Sequence, residues 1–153
     1  MVEERSAHPL RMIDVGAKAV TAREAVARGR IALSAKALEA ALARTLPKGD
    51  AITAAELAGI QAAKRVWEIV PLCHPVGLES AEVRVEPAEG GLEITACVRA
   101  QARTGVEMEA LAAVTAAALT LYDMTKSIDR GAVIGDICLV EKSGGKSGDY
   151  RRP

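Results

Sequence analysis

Residues 81–100, Ala-Glu-Val-Arg-Val-Glu-Pro-Ala-Glu-Gly-Gly-Leu-Glu-Ile-Thr-Ala-Cys-Val-Arg-Ala, decide the fold. Up to Glu86, Val83 and Val85 fall on one side while Glu82, Arg84 and Glu86 fall on the other. Beyond Glu89-Gly90-Gly91 the alternation resumes with Leu92, Ile94, Ala96, Val98 and Ala100. Successive side chains of a strand point to opposite faces. Two period-two runs joined by a Gly-rich turn therefore predict a β-hairpin.

On the C-terminal side, Thr104-Gly-Val-Glu107 has the spacing of a capping box and should open a long helix over roughly 106–127. A strand over 134–140 follows, then a Gly-rich basic tail, Lys142-Ser-Gly-Gly-Lys-Ser-Gly-Asp149. On the N-terminal side, Pro71 and Pro75 flank Leu-Cys-His and hold it extended. Lys48-Gly49-Asp50 forms a turn, and Asp50 can cap a helix running to about Trp67. Ser34 can cap another that ends before Pro47. Ile31–Leu33 suits a short strand. Thr21-Ala-Arg-Glu24 is a second capping-box spacing and predicts a helix stopping near Gly29. Residues 1–11 read as a loose arm, and 12–153 as one domain, the size expected of a single core. After the first helices the order is strand, helix, hairpin, helix, strand. That split β-α-β plan is ferredoxin-like, an α+β class with a mainly antiparallel sheet and helices packed on one face.

Half of the 153 residues are hydrophobic, yet only 2% are aromatic and none is Phe. The core must be built from Ala, Val, Leu and Ile, which favours close helix contacts. The formal charge is zero, so no global field draws in nucleic acid or membrane. No apolar run approaches the ~20 residues of a membrane span, and the charged first residues lack a signal-peptide core. Cys73, Cys97 and Cys138 match no zinc spacing, and their odd number suits a reducing cytoplasm.

Asp123 and Lys126 share a helix face three residues apart, a spacing equally suited to a surface ion pair or to an acid and base side by side. Glu107 and Glu109 fall in a first helical turn, where carboxylates also serve the helix dipole. Met108 at that spacing suits a core position as well as a ligand contact. His74, between prolines, is presented rigidly. Lys48 and Lys146 adjoin glycines whose N–H groups can help hold a phosphate. Gly145-Lys-Ser147 is not a P-loop: Val140 stands where the first glycine belongs, and no helix follows.

Six segments in order, Met-Ile-Asp-Val-Gly (12–16), Ala-Gly-Ile-Gln-Ala-Ala-Lys (58–64), Ile-Val-Pro-Leu-Cys-His-Pro (69–75), Thr-Gly-Val-Glu-Met-Glu-Ala-Leu (104–111), Leu-Thr-Leu-Tyr-Asp-Met-Thr-Lys-Ser-Ile-Asp (119–129) and Lys-Ser-Gly-Gly-Lys-Ser-Gly-Asp-Tyr (142–150), resemble the cyclic pyranopterin monophosphate synthase family, also called the molybdenum cofactor biosynthesis protein C family. The resemblance implies conversion of 3′,8-cyclised dihydro-GTP to cyclic pyranopterin monophosphate with release of pyrophosphate. It implies a ferredoxin-like fold and a hexamer, a trimer of dimers, with sites at dimer interfaces. By motif, it makes Asp123, Lys126 and Lys48 the catalytic positions. Leu72, Cys73, His74, Met108 and Glu109 would bind substrate, and Arg23, Lys64, Lys142 and Lys146 would line the pocket. Gly16, Ala112 and Thr125 depart from the family's usual Ser, Thr and Cys, and none of these changes removes an ionisable catalytic group.

The implied chemistry needs proton transfers while the pterin forms and charge neutralisation as pyrophosphate leaves. Which of Asp123 and the lysines is acid and which base stays open. No cofactor is required; a magnesium ion could assist, but no dedicated cage is visible. Two other classes fit the plan less well. A nucleotide-binding regulatory module needs no paired acid and base. An RNA-binding domain needs aromatic residues on the sheet, and Trp67, Tyr122 and Tyr150 all fall outside the expected strands.

Overall fold

A computed structural model describes residues 9–153; of the expected N-terminal arm, residues 1–8 lie outside the described residues. The elements run β1 (Thr21–Ala32), α1 (Ala35–Leu42), α2 (Ala51–Ala63), a 3-10 turn (Val66–Glu68), β2 (Ser80–Ala88), β3 (Gly91–Ala102), α3 (Glu107–Thr125), β4 (Val133–Ser143) and β5 (Tyr150–Arg151). The sheet order is β2-β3-β1-β4-β5, and every neighbouring pair is antiparallel. This is the ferredoxin-like α+β plan with one short strand added at an edge.

The hairpin forms as its pattern requires. Ala88 pairs with Gly91 across a two-residue turn, and Gly90 takes a φ of +69° there, where a side chain would be strained. Val83, Val85, Leu92, Ile94, Ala96 and Val98 are buried under the helices. Ser34 caps α1 by accepting from the Ala37 N–H. Asp50 caps α2 by accepting from the Thr53 N–H at 3.1 Å. α2 ends at Ala63, four residues before the expected Trp67, and the chain tightens into the 3-10 turn.

Two expectations fail. Thr21–Gly29 is a strand and not a helix, because β1 is the central strand, paired with β3 over its length and with β4 from Glu24 onward. Its inward positions, Ala25, Ala27, Gly29 and Ile31, are all buried. Tertiary pairing overrides the local cap signal here, and Glu24 turns to Arg99 on β3, 3.7 Å away. The second is Thr104-Gly-Val-Glu107. Val106 sits at the N-cap of α3 without a side-chain cap bond, and Glu107 instead accepts from Lys142 Nζ at 2.7 Å. A third, smaller difference is that Tyr150 lies in a strand, β5, formed by the tail.

Small residues let the layers approach closely. A Cβ on Gly29 would stand 2.7 Å from Val114 Cγ1 on α3 and 2.9 Å from Ile137 Cγ1 on β4. A Cβ on Gly59 of α2 would stand 2.9 Å from the Ala113 carbonyl oxygen and 3.0 Å from Val83 Cγ2. At the free edge, β2 presents Glu82, Arg84, Glu86 and Pro87, and Glu56 reaches from α2 to accept from the Val85 N–H at 3.0 Å.

Gly59→Ala tests this packing. Alanine gains about 1 kcal/mol of helix propensity, while overpacking costs about 1–3 kcal/mol, and the opposing carbonyl is backbone that cannot rotate away. A lower urea midpoint is expected; a higher one would show that α2 and α3 have slack between them.

Candidate active site

The long helix sets out the chemistry at its two ends. At the C-terminal end, Asp123 lies in the last turns of α3 and Lys126 is its C-cap residue, where a cation suits the dipole. Lys48 arrives from the turn before α2. Its Nζ donates to Asp123 Oδ2 at 2.6 Å, and Lys126 Nζ stands 2.8 Å from Oδ1. Each carboxylate oxygen thus has its own ammonium group. The Lys126 and Lys48 hydrogen bonds, in that order, pull the Asp123 carboxyl down to about 2. All three side chains are about half exposed.

At the N-terminal end, Met108 is exposed and Glu109 is only 2% exposed. Glu109 Oε2 has no hydrogen-bond partner among the described residues. Burial, then the charge of Glu107, raises its carboxyl above the usual range. Burial and then Glu109 likewise raise the Cys73 thiol, which makes Cys73 a poor nucleophile. Leu72 beside it is exposed.

Two cavities lie near this end. The larger, about 780 Å³, gathers Arg23, Lys142 and Lys146 with Lys18, Arg103 and Glu107. The smaller, about 370 Å³, holds His74 against Val15, Gln101, Arg103 and Thr104. Arg23 donates Nε to the Ala102 carbonyl, Nη1 to that of Gly144 and Nη2 to that of Arg103, at 3.2–3.3 Å. Gly145 takes a φ of +84°, where a side chain would be strained, and a Cβ there would also displace this guanidinium. The tail is therefore buckled to the end of β3. Lys142 sits in the half-buried pair with Glu107.

The chain brings Lys48 to Asp123 and Lys126, and Arg23 to Lys142 and Lys146. Lys64 caps α2 and lines neither of the two cavities. Lys18 and Arg103 escaped the sequence reading, although Lys18 closely follows residues 12–16 and Arg103 directly precedes residues 104–111. With 1.5 Å of rise per residue, Glu107 and Asp123 stand about 24 Å apart along α3. One chain thus carries the two groups of candidate residues at opposite ends of α3.

A family model described as "MoaC family" matches residues 12–145. The chain belongs to the MoaC family. Relatives in that family include the "Cyclic pyranopterin monophosphate synthase" of Chloroflexus aurantiacus, 54% identical over 94% of this chain and 89% of the relative. That of Streptomyces griseus is 51% identical over 93% and 80%. The "Cyclic pyranopterin monophosphate synthase 3" of Mycobacterium bovis is 54% identical over 93% and 81%. The MoaC match spans every residue singled out above except Lys146.

Two measurements test the electrostatics. In a carboxyl NMR titration Asp123 should have its midpoint near 2; Lys126→Ala should raise it more than Lys48→Ala, and an unmoved midpoint in both would dissolve the cluster. Glu109 has a raised folded value, so its contribution is present below the ordinary glutamate value and is lost as pH rises through the folded one. Glu109→Gln should accordingly gain melting temperature relative to the parent between pH 4 and pH 7. A constant difference would mean that Glu109 binds its proton equally in the folded and the unfolded chain.

Proposed function

We propose that this MoaC-family chain converts 3′,8-cyclised dihydro-GTP to cyclic pyranopterin monophosphate and pyrophosphate, as a lyase of molybdenum cofactor biosynthesis. The observation that carries the reading is the Lys48–Asp123–Lys126 cluster, three groups from two elements meeting at 2.6 and 2.8 Å. Asp123, held ionised, accepts a proton during pterin formation, and the flanking ammonium groups are the donors. Positioned donors and acceptors of this kind contribute about 10²–10⁴-fold each. Leu72, Cys73, His74, Met108 and Glu109 take the ring system, and the cavity that Arg23, Lys142 and Lys146 line takes the triphosphate. When a sugar hydroxyl attacks the α-phosphorus, a P–O bond forms and the bond to the departing pyrophosphate breaks. The surrounding cations offset the charge that builds on that leaving group.

No step is routed through a metal. The larger cavity offers ammonium and guanidinium groups, and its two carboxylates, Glu107 and Glu24, are paired with Lys142 and Arg99, a donor set that does not suit a resident magnesium ion. A magnesium ion arriving on the triphosphate would belong to the substrate.

The 24 Å division of the site argues for a second copy. Met108, Thr115, Leu119, Asp123 and Lys126 recur at helical spacing on one stripe of α3, and Leu119 in its middle is 58% exposed. A copy related by a two-fold axis and packed on that stripe sets the Met108 end of one helix beside the Asp123 end of the other. The proposed assembly is a hexamer, a trimer of such dimers. Among the described residues no helix is long and apolar enough to cross a membrane. The free thiols of Cys73, Cys97 and Cys138 fit the cytoplasm.

Turnover of freshly made substrate, followed as pyrophosphate release, tests the reaction. The parent should turn over and Asp123→Asn should lose at least a hundredfold. Co-assembly of Asp123→Asn with His74→Ala should recover activity that neither variant has alone. No turnover by the parent overturns the function; no recovery by the mixture overturns the shared site.

A further inference from the structure

The two cavities adjoin, because Arg103 and Thr104 line both. On the smaller side stands His74, and on the larger the tail cations. Arg23 has spent three of its donors on backbone carbonyls, two of which belong to Ala102 and Arg103. It thereby fixes the backbone from which Arg103 projects. The Arg103 side chain itself is exposed and enters no ion pair among the described residues.

We infer that the two arginines divide the work: Arg103, at the wall common to both cavities, is the ligand of the phosphate nearest the ring, and Arg23 is a positioning residue that holds Arg103 and the tail in place. This rests on the function proposed above. A substrate with a fused ring at one end and a triphosphate at the other would reach from the smaller cavity into the larger with its α-phosphate at their common wall. The planar fork of an arginine matches two phosphate oxygens at once. The α-phosphate stays in the product, whereas the β- and γ-phosphates leave. Arg103 therefore acts on the reacting phosphorus, while Lys142 and Lys146 serve the leaving group.

The split is measurable by comparing turnover of the cyclised GTP substrate with competitive inhibition by inorganic pyrophosphate. Arg103→Ala should lower kcat/KM at least tenfold while leaving the pyrophosphate inhibition constant within twofold of the parent's. Lys146→Ala should raise that inhibition constant. Arg103→Lys should recover part of the turnover, since it keeps the charge and loses the fork. Arg103→Ala should also melt with the parent. Arg23→Lys should lower the melting temperature and make the tail more open to protease, a loss that Arg103→Ala does not share. Turnover within twofold of the parent in Arg103→Ala overturns the proposal. So does a loss of pyrophosphate inhibition equal to its loss in kcat/KM, which would place Arg103 among the leaving-group ligands. Absence of turnover in the parent would instead strike the function itself, so the two failures are distinct.

Discussion

The closeness of α3 to the central strand governs the rest of the molecule. Ala25, Ala27 and Gly29 on β1 face Ala113, Val114, Ala117 and Ala118 on α3, and all are buried. With so little side-chain volume between them, the helix cannot slide or roll far without collision, as the 2.7 Å approach at Gly29 shows. Its two ends are thereby fixed. One end meets the end of β3 and the tail; the other meets the turn that carries Lys48. A core without Phe is a condition for placing catalytic groups on a single rigid rod.

The hairpin, α1, α2, α3 and β4 were readable in the sequence because their apolar periods, and for α1 and α2 their capping residues, agree with their tertiary roles. β1 was misread for a physical reason. Up to Gly29 its buried face consists of Ala and Gly, which carry little strand character, and Thr-x-x-Glu mimics a helix start. Only its two neighbours, distant in sequence, make it a strand. Glu107 misled in the same way: its partner proved to be Lys142, 35 positions away, and not the backbone of its own helix.

Legibility of the site followed the same division. Asp123 and Lys126 were visible as a pair because one helix carries both. Lys48 could be joined to them only through the resemblance, since 75 positions separate it from Asp123. Nothing local distinguishes Arg23, buckled to three carbonyls, from Arg103, which stands open; donor use is a property of the folded chain. Spacing could not foretell that Glu109 loses its contact with water while Asp123 keeps it, so two carboxyls on one helix are driven in opposite directions.

The Glu56 carboxylate on the Val85 N–H closes an edge that would otherwise invite another strand. Flanked by Glu82, Arg84, Glu86 and Pro87, the outer strand offers a newly made chain little on which to stack. Copies of the chain are thus discouraged from joining sheet to sheet into open-ended fibres. Any assembly is left to other surfaces, where a symmetric contact would close on itself after a fixed number of copies.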